Sequence, residues 1–196
     1  MSASTFLSPE PTILKPRKFA HRSLLPLERD YLWQISTGVV RTVTYSEDGI
    51  PMTLGLWGSG DVVGRVLSRA EPFQIECFTA VEAIRLPVGR WYEATDAMIL
   101  HIQQFQEFLE ILHCRNVDAS LMRLLTWLAK KFGREIEQGK LIDLRLTHEE
   151  IASIMGTTRV TVTRVLKDFE QRGIIQRLPQ HLIVLHEQEP FWHYEI

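Results

Sequence analysis

Thr158, Arg159, Val160, Thr161, Thr163, Arg164 and Lys167 fall within ten consecutive positions, and together they carry chemistry for reading nucleic acid. An arginine can donate two parallel hydrogen bonds to a guanine edge, a threonine can bond a base or a phosphate, and a lysine neutralises a phosphate. In the same stretch Val162, Val165, Leu166 and Phe169 recur at helical spacing, one apolar stripe that packs inward and leaves the polar set outside. A helix divided this way suits a DNA major groove. A solvated Thr/Arg face is the plainer alternative. Against it stand the capping box Thr147-x-x-Glu150 and the turn glycine Gly156, both at the spacing a two-helix reader needs. The chemistry is recognition, not catalysis. His148-Glu149-Glu150-Ile151-Ala152 begins like a metalloprotease His-Glu-x-x-His, but Ala152 stands where the second zinc ligand belongs. No nucleophile–base pair, metal set or phosphate loop rises above chance, and the chain does not read as an enzyme.

Such a helix needs elements to hold it. Leu141 to Leu146 reads as a strand leading into the two-helix unit. After Gly173, the runs Ile174–Arg177 and Leu182–Leu185, parted by Pro179-Gln180, read as a closing hairpin or wing. Upstream, Asp118 is the expected N-cap of a helix reaching about Phe132. Before it, Met98, Ile102, Phe105, Leu109 and Leu112 are spaced 4-3-4-3, the seam of a two-stranded coiled coil. Gln103, Gln104, Gln106, Glu107 and Glu110 flank that seam, while Phe108 and Ile111 could close the helix onto its own chain. Packing of the whole stripe against its own β domain is the alternative. From Tyr31 to Leu86 short β-like runs alternate with glycines, and Asp48-Gly49 between two of them signals a hairpin. The expected fold is α+β: an antiparallel β-barrel, a long dimerisation helix and a winged helix-turn-helix. The expected divisions are a flexible arm over 1–18 holding Pro9, Pro11 and Pro16, a barrel over 19–94, the dimerisation helix over 95–115, and a DNA-binding domain over 116–196.

The 196 residues are 45% hydrophobic and 23% charged, ordinary for a globular protein, with a formal net charge of −2. That balance excludes coating of nucleic acid by bulk charge but permits a local basic patch. Two cysteines, Cys77 and Cys114, make neither a disulfide framework nor a four-cysteine metal site. His113-Cys114 sit side by side on a helix and point apart, a poor chelate for a metal or haem. No leader and no membrane-length apolar run is visible, so a cytoplasmic protein is expected. Trp33, Trp57 and Trp91 are expected in or around the β core, and Phe191, Trp192 and Tyr194 make an aromatic tail.

The order of elements and the 156–164 segment resemble the CRP/FNR family of bacterial transcription regulators. The segment Gly156 to Arg164 is especially similar to the recognition helix of its cyanobacterial nitrogen-control (NtcA-like) subgroup. Gly38, Asp48-Gly49 and Gly60-Asp61-Val62-Val63-Gly64 match the family's glycine-marked barrel turns. The resemblance implies a homodimer on a palindromic site in double-stranded DNA, with RNA polymerase as a further partner. It implies that Arg159 reads a guanine and Arg164 a second base edge, with Thr161 and Lys167 on phosphates. Where many relatives carry Glu, this chain has Val160, which packs on a thymine methyl; a GTA-type half-site is expected instead of GTGA. Gly64, Arg65, Ser68 and Arg69 align with the family's effector loop, or form an ordinary turn with solvated arginines. No Glu follows Gly64, so cyclic AMP is not expected; no cysteine precedes Cys77, so neither is an iron–sulfur cluster. His101 stands where the nitrogen-control proteins carry an arginine for 2-oxoglutarate. The regulator is therefore read as effector-independent or as gated by another small molecule. A sensor docking on protein instead of DNA is the rival from a different class.

Overall fold

The computed structural model describes residues 14–186. Residues 1–13 and the aromatic tail, with Phe191, Trp192 and Tyr194, lie outside them. Two antiparallel sheets make up the N-terminal half. One runs β1 (Arg17–Phe19), β7 (Val81–Pro87), β2 (Tyr31–Thr37), β5 (Val62–Val63); the other runs β4 (Pro51–Trp57), β3 (Val40–Tyr45), β6 (Gln74–Cys77). Alternation along β2 splits its side chains between two cores, as a strand's period of two requires. Tyr31, Trp33 and Ile35 pack with Val40, Trp57, Ile75 and Cys77 from the opposite sheet. Leu32 joins Val62, Leu86 and Ala94 on the other face. The β3–β4 hairpin turns where Asp48-Gly49 announced it, with Gly49 at φ +74°, a conformation that glycine takes without steric cost.

Two expectations change here. The sheets share a core without closing into a barrel: among the described residues an isolated bridge, Leu24 to Glu76, lies outside the named strands, and no ladder joins the two sheets. With β1 three residues long and β5 two, the ladder is too short to carry pairing around a ring. Arg17 and Lys18, expected within the arm, instead pair with Ala83 and Glu82 as part of β1.

α1 (Thr95–Leu112) follows, then α2 (Val117–Phe132). The N-cap of α2 is Asn116, not Asp118: the Asn116 side chain accepts from the Asp118 and Ala119 amides at 2.9 and 3.3 Å. Asp118 sits in the first turn instead, where its charge faces the positive end of the helix. Next come β8 (Gly133–Ile136), β9 (Gly139–Ile142), α3 (His148–Met155), α4 (Arg159–Gln171), β10 (Ile175–Leu178) and β11 (Leu182–Leu185). The wing hairpin β10–β11 is present, but it is half of a four-stranded sheet in the order β10-β11-β9-β8. The strand expected over 141–146 stops at Ile142. Leu144 and Leu146 are buried without a ladder, in a connection whose Leu146 amide donates to the His181 carbonyl.

One core unites the helices. Leu124 and Leu128 of α2, Ile151 of α3, and Val162, Val165, Leu166 and Phe169 of α4 pack together with Phe108 and Ile111 of α1. Val39, Leu56 and Phe78 of the β half belong to the same cluster. Beside them, Lys131 of α2 reaches into the β half. Its Nζ lies 2.8 Å from Asp61 Oδ2 and donates to the Leu56 carbonyl at 2.9 Å and to Gln104 of α1. Asp61 also accepts from the Gly58 amide at 2.7 Å and from Gln104 Nε2 at 3.0 Å. The rings of Trp57, Trp127 and Phe132 lie 5.2–5.4 Å from the ammonium. Burial pushes the Lys131 pKa down, opposed by the attraction of Asp61. His101 of α1 stacks on Trp57 at 3.7 Å and donates Nδ1–H to the Val62 carbonyl, and burial pushes its pKa down as well.

Candidate nucleic-acid interface

Local chemistry fixes the two-helix unit at each end. The Thr147 hydroxyl accepts from the Glu150 amide at 3.2 Å, and the Glu150 carboxylate accepts from the Thr147 amide at 2.8 Å, so both halves of the capping box form. Gly156 closes α3 in the left-handed conformation, φ 63° and ψ 33°, and Thr157 N–H returns to the Ala152 carbonyl. Thr158 then caps α4, accepting from the Thr161 amide at 3.2 Å.

The apolar stripe of α4 is buried, as its spacing demanded. On the other face Thr158, Arg159, Val160, Thr163, Arg164 and Lys167 are all exposed. Thr161 is half-buried, and its hydroxyl bonds that of Thr158 at 2.9 Å, so it supports the cap more than it faces outward. Val160 is 78% exposed, an apolar side chain bare to water in the middle of a polar face. Thr163 donates to the Arg159 carbonyl at 2.8 Å. Arg164 leans 3.3 Å from Asp118 of α2, a contact between residues 46 positions apart that no local pattern signals. The Arg164–Asp118 pair is largely solvated and contributes little to stability. His148, at the start of α3, reaches α4 through Thr163.

The apolar stripe of α1 divides. Ile102 is 59%, Phe105 41% and Leu109 42% exposed, and Ile99 extends their row toward the start of the helix. Met98 packs against the Leu32/Val62/Leu86 cluster and Leu112 against the helical core, so the two ends of the expected seam serve their own chain. At the end of α1, His113 Nδ1 meets the Leu109 carbonyl at 2.9 Å, which occupies that ring nitrogen within the helix. Cys114 beside it is half-buried.

The loop considered for an effector is held by its own contacts. Gly64 is buried against Leu32. Arg65 donates to the Ser68 and Ala70 carbonyls and pairs with Glu71 at 2.6 Å, its side chain only 16% exposed. Ser68 Oγ accepts from the Ala70 amide, and Arg69 is exposed.

A capped helix-turn-helix backed by an antiparallel wing and carrying a basic outer face defines a DNA-binding transcription regulator. Residues 120–189 match the Crp-like helix-turn-helix domain. The chain is 38% identical to the Regulatory protein CysR of Synechococcus elongatus over 188 residues, 93% of this chain and 91% of that protein. It is 32% identical to the Global nitrogen regulator of Synechocystis over 76% of this chain and 73% of that one. Among solved structures, TTHB099, a CRP-family transcriptional regulator of Thermus thermophilus, superposes with a TM-score of 0.74 at 23% identity, over 87% of this chain and 92% of that chain. The chain belongs to the CRP/FNR family.

Proposed function

We propose that the protein acts as a homodimer on a palindromic site, with one α4 in the major groove of each half-site. The single observation that carries this reading is the outer face of α4, where Arg159, Val160 and Arg164 project beyond a buried stripe. Arg159 donates to a guanine, Arg164 to a second base edge, and Val160 packs on a thymine methyl, which favours a GTA-type half-site of the NtcA-like kind. Thr158 and Lys167 hold phosphates, while Thr163, its hydroxyl proton given to the Arg159 carbonyl, steadies the helix. Ile102, Phe105 and Leu109, joined by Ile99, make the dimer seam along α1. The regulator works in the cytoplasm with RNA polymerase as its downstream partner, and uses no cyclic AMP, iron–sulfur cluster or haem.

An effector-independent mode is supported by Arg65, whose guanidinium is committed to its own loop, and by Trp33 and Phe73, which fill the core between the sheets. The test is fluorescence anisotropy with a duplex carrying inverted GTA…TAC half-sites centred about 10 bp apart, against a scrambled core at equal salt. Tight, core-dependent binding without added metabolite is the expected result. Equal weak binding to both duplexes, converted to tight binding by a metabolite, would establish the gated alternative.

In the same assay Arg159→Ala is expected to lose about 1–3 kcal/mol on the GTA core and to relax preference at one base pair. Lys167→Ala is expected to weaken both duplexes alike. Equal losses on both duplexes for Arg159→Ala would remove it from base reading. Asp118→Asn is expected to tighten binding about two- to fivefold at low salt, because it frees Arg164 and removes a negative charge beside the DNA. Weaker binding by that variant would mean that Asp118 orients Arg164 for its base.

A further inference from the structure

His148 Nδ1 lies 2.7 Å from Thr163 Oγ1. The hydroxyl proton of Thr163 is already given to the Arg159 carbonyl, 2.8 Å away. Its oxygen is therefore the acceptor, and Nδ1 of His148 carries the hydrogen. In the neutral ring Nε2 then holds a bare lone pair, which repels an anion. Only the doubly protonated ring can offer Nε2–H to a phosphate oxygen.

The surroundings are cationic. Arg159 from α4, Arg177 from β10 and His181 from the β10–β11 turn all disfavour a second proton on His148, after burial, which disfavours it most. His148, Arg177 and His181 line an open cleft of about 420 Å³ between α3, α4 and the wing. Of the carboxylates nearby, Glu170 in that cleft is engaged by Arg177, Glu150 is consumed by the capping box, and Glu149 is exposed on α3. Arg159 and Arg177 thus flank His148 beside the reading helix, Arg177 paired with Glu170, and the charge of the His148 ring depends on its second proton.

We propose that His148 is a proton-dependent phosphate contact: on DNA it gains a proton at Nε2 and binds a backbone phosphate beside the groove that α4 enters. This rests on α4 being the reading helix. A phosphate reverses the field at the ring, so the bound form holds the proton at a higher pH than the free form. Affinity therefore rises as pH falls through the bound-state pKa, and levels off below the free-state one.

The experiment is anisotropy on the GTA…TAC and scrambled duplexes from pH 8 to pH 6 at constant salt. The affinity of the wild-type dimer for both duplexes is expected to rise on the order of tenfold over that span, about threefold for each of its two His148 rings. DNA raises each ring's pKa by about one, and a free-state pKa below the ordinary value leaves the plateau only partly reached at pH 6. His148→Gln is expected to abolish the rise and keep the ratio between duplexes, since a phosphate carries no sequence information. His181→Gln is expected to keep the rise. A flat wild-type profile, an unchanged slope in His148→Gln, or a slope lost in His181→Gln overturns the proposal. A slope carried by His148 on both duplexes without core preference upholds it and instead overturns the assignment of the GTA core.

Discussion

Lys131→Met is expected to lower the unfolding free energy by about 3–5 kcal/mol, as removal of one partner of a buried ion pair does. Lys131 and Asp61 are only 14% and 8% exposed, so little solvent is available to replace the lost partner. Asp61 would keep the Gly58 amide and Gln104 as donors but lose its counter-charge, and the Leu56 carbonyl would lose its side-chain donor. The double variant Asp61→Asn with Lys131→Met removes both charges and leaves neutral groups to pair; it is expected to recover more than half of the loss. Equilibrium urea unfolding of the two single variants and the double reads all three values. An unchanged midpoint in Lys131→Met would show that water already serves Asp61.

On the proposed α1 seam, Leu109→Glu is expected to leave monomers in sedimentation and to reduce affinity for the proposed palindrome on the order of a hundredfold or more. In a two-fold seam the new carboxylate is buried twice, opposite its own copy, with no cation among the flanking Gln106 and Glu110 to offset it. Each monomer then reads one half-site alone, and the gain from linking two reading events disappears. Leu109 is 42% exposed in the single chain, so the fold itself should tolerate the change. A dimer that survives Leu109→Glu would place the contact elsewhere. Far-ultraviolet circular dichroism of the same sample checks that the monomer is folded.

What the sequence disclosed was local. The capping box, the left-handed Gly156 and the stripe of α4 each depend on residues a few positions apart, and each formed at its expected place. The α1 stripe was legible as a period but not as a destination: spacing puts Met98 and Ile102 on one face, and only the fold turns Met98 into the β half. Asn116 and Asp118 are both good caps, and the backbone bends at the first of them. Leu144 and Leu146 continue the alternation of β9, yet burial by the helices, not pairing, accounts for their apolar character. The contact between His148 and Thr163 spans two helices, and that between Asp61 and Lys131 spans both halves of the chain. No periodicity encodes pairs that far apart. For the same reason β1 and β5, three and two residues long, were not legible as strands: Arg17-Lys18 falls in the expected arm and Val62-Val63 in an expected turn, and the failure of the sheets to close had no local signal either.

The cluster in which Val39, Leu56 and Phe78 pack with the helices of the C-terminal half has a calorimetric consequence. Where two domains meet through a thin polar contact, each melts on its own. Here apolar side chains run unbroken from one half to the other, so neither half can lose its packing without exposing the interior of its neighbour. The heat-absorption peak of the whole chain should then be single, with its calorimetric and van't Hoff enthalpies in agreement.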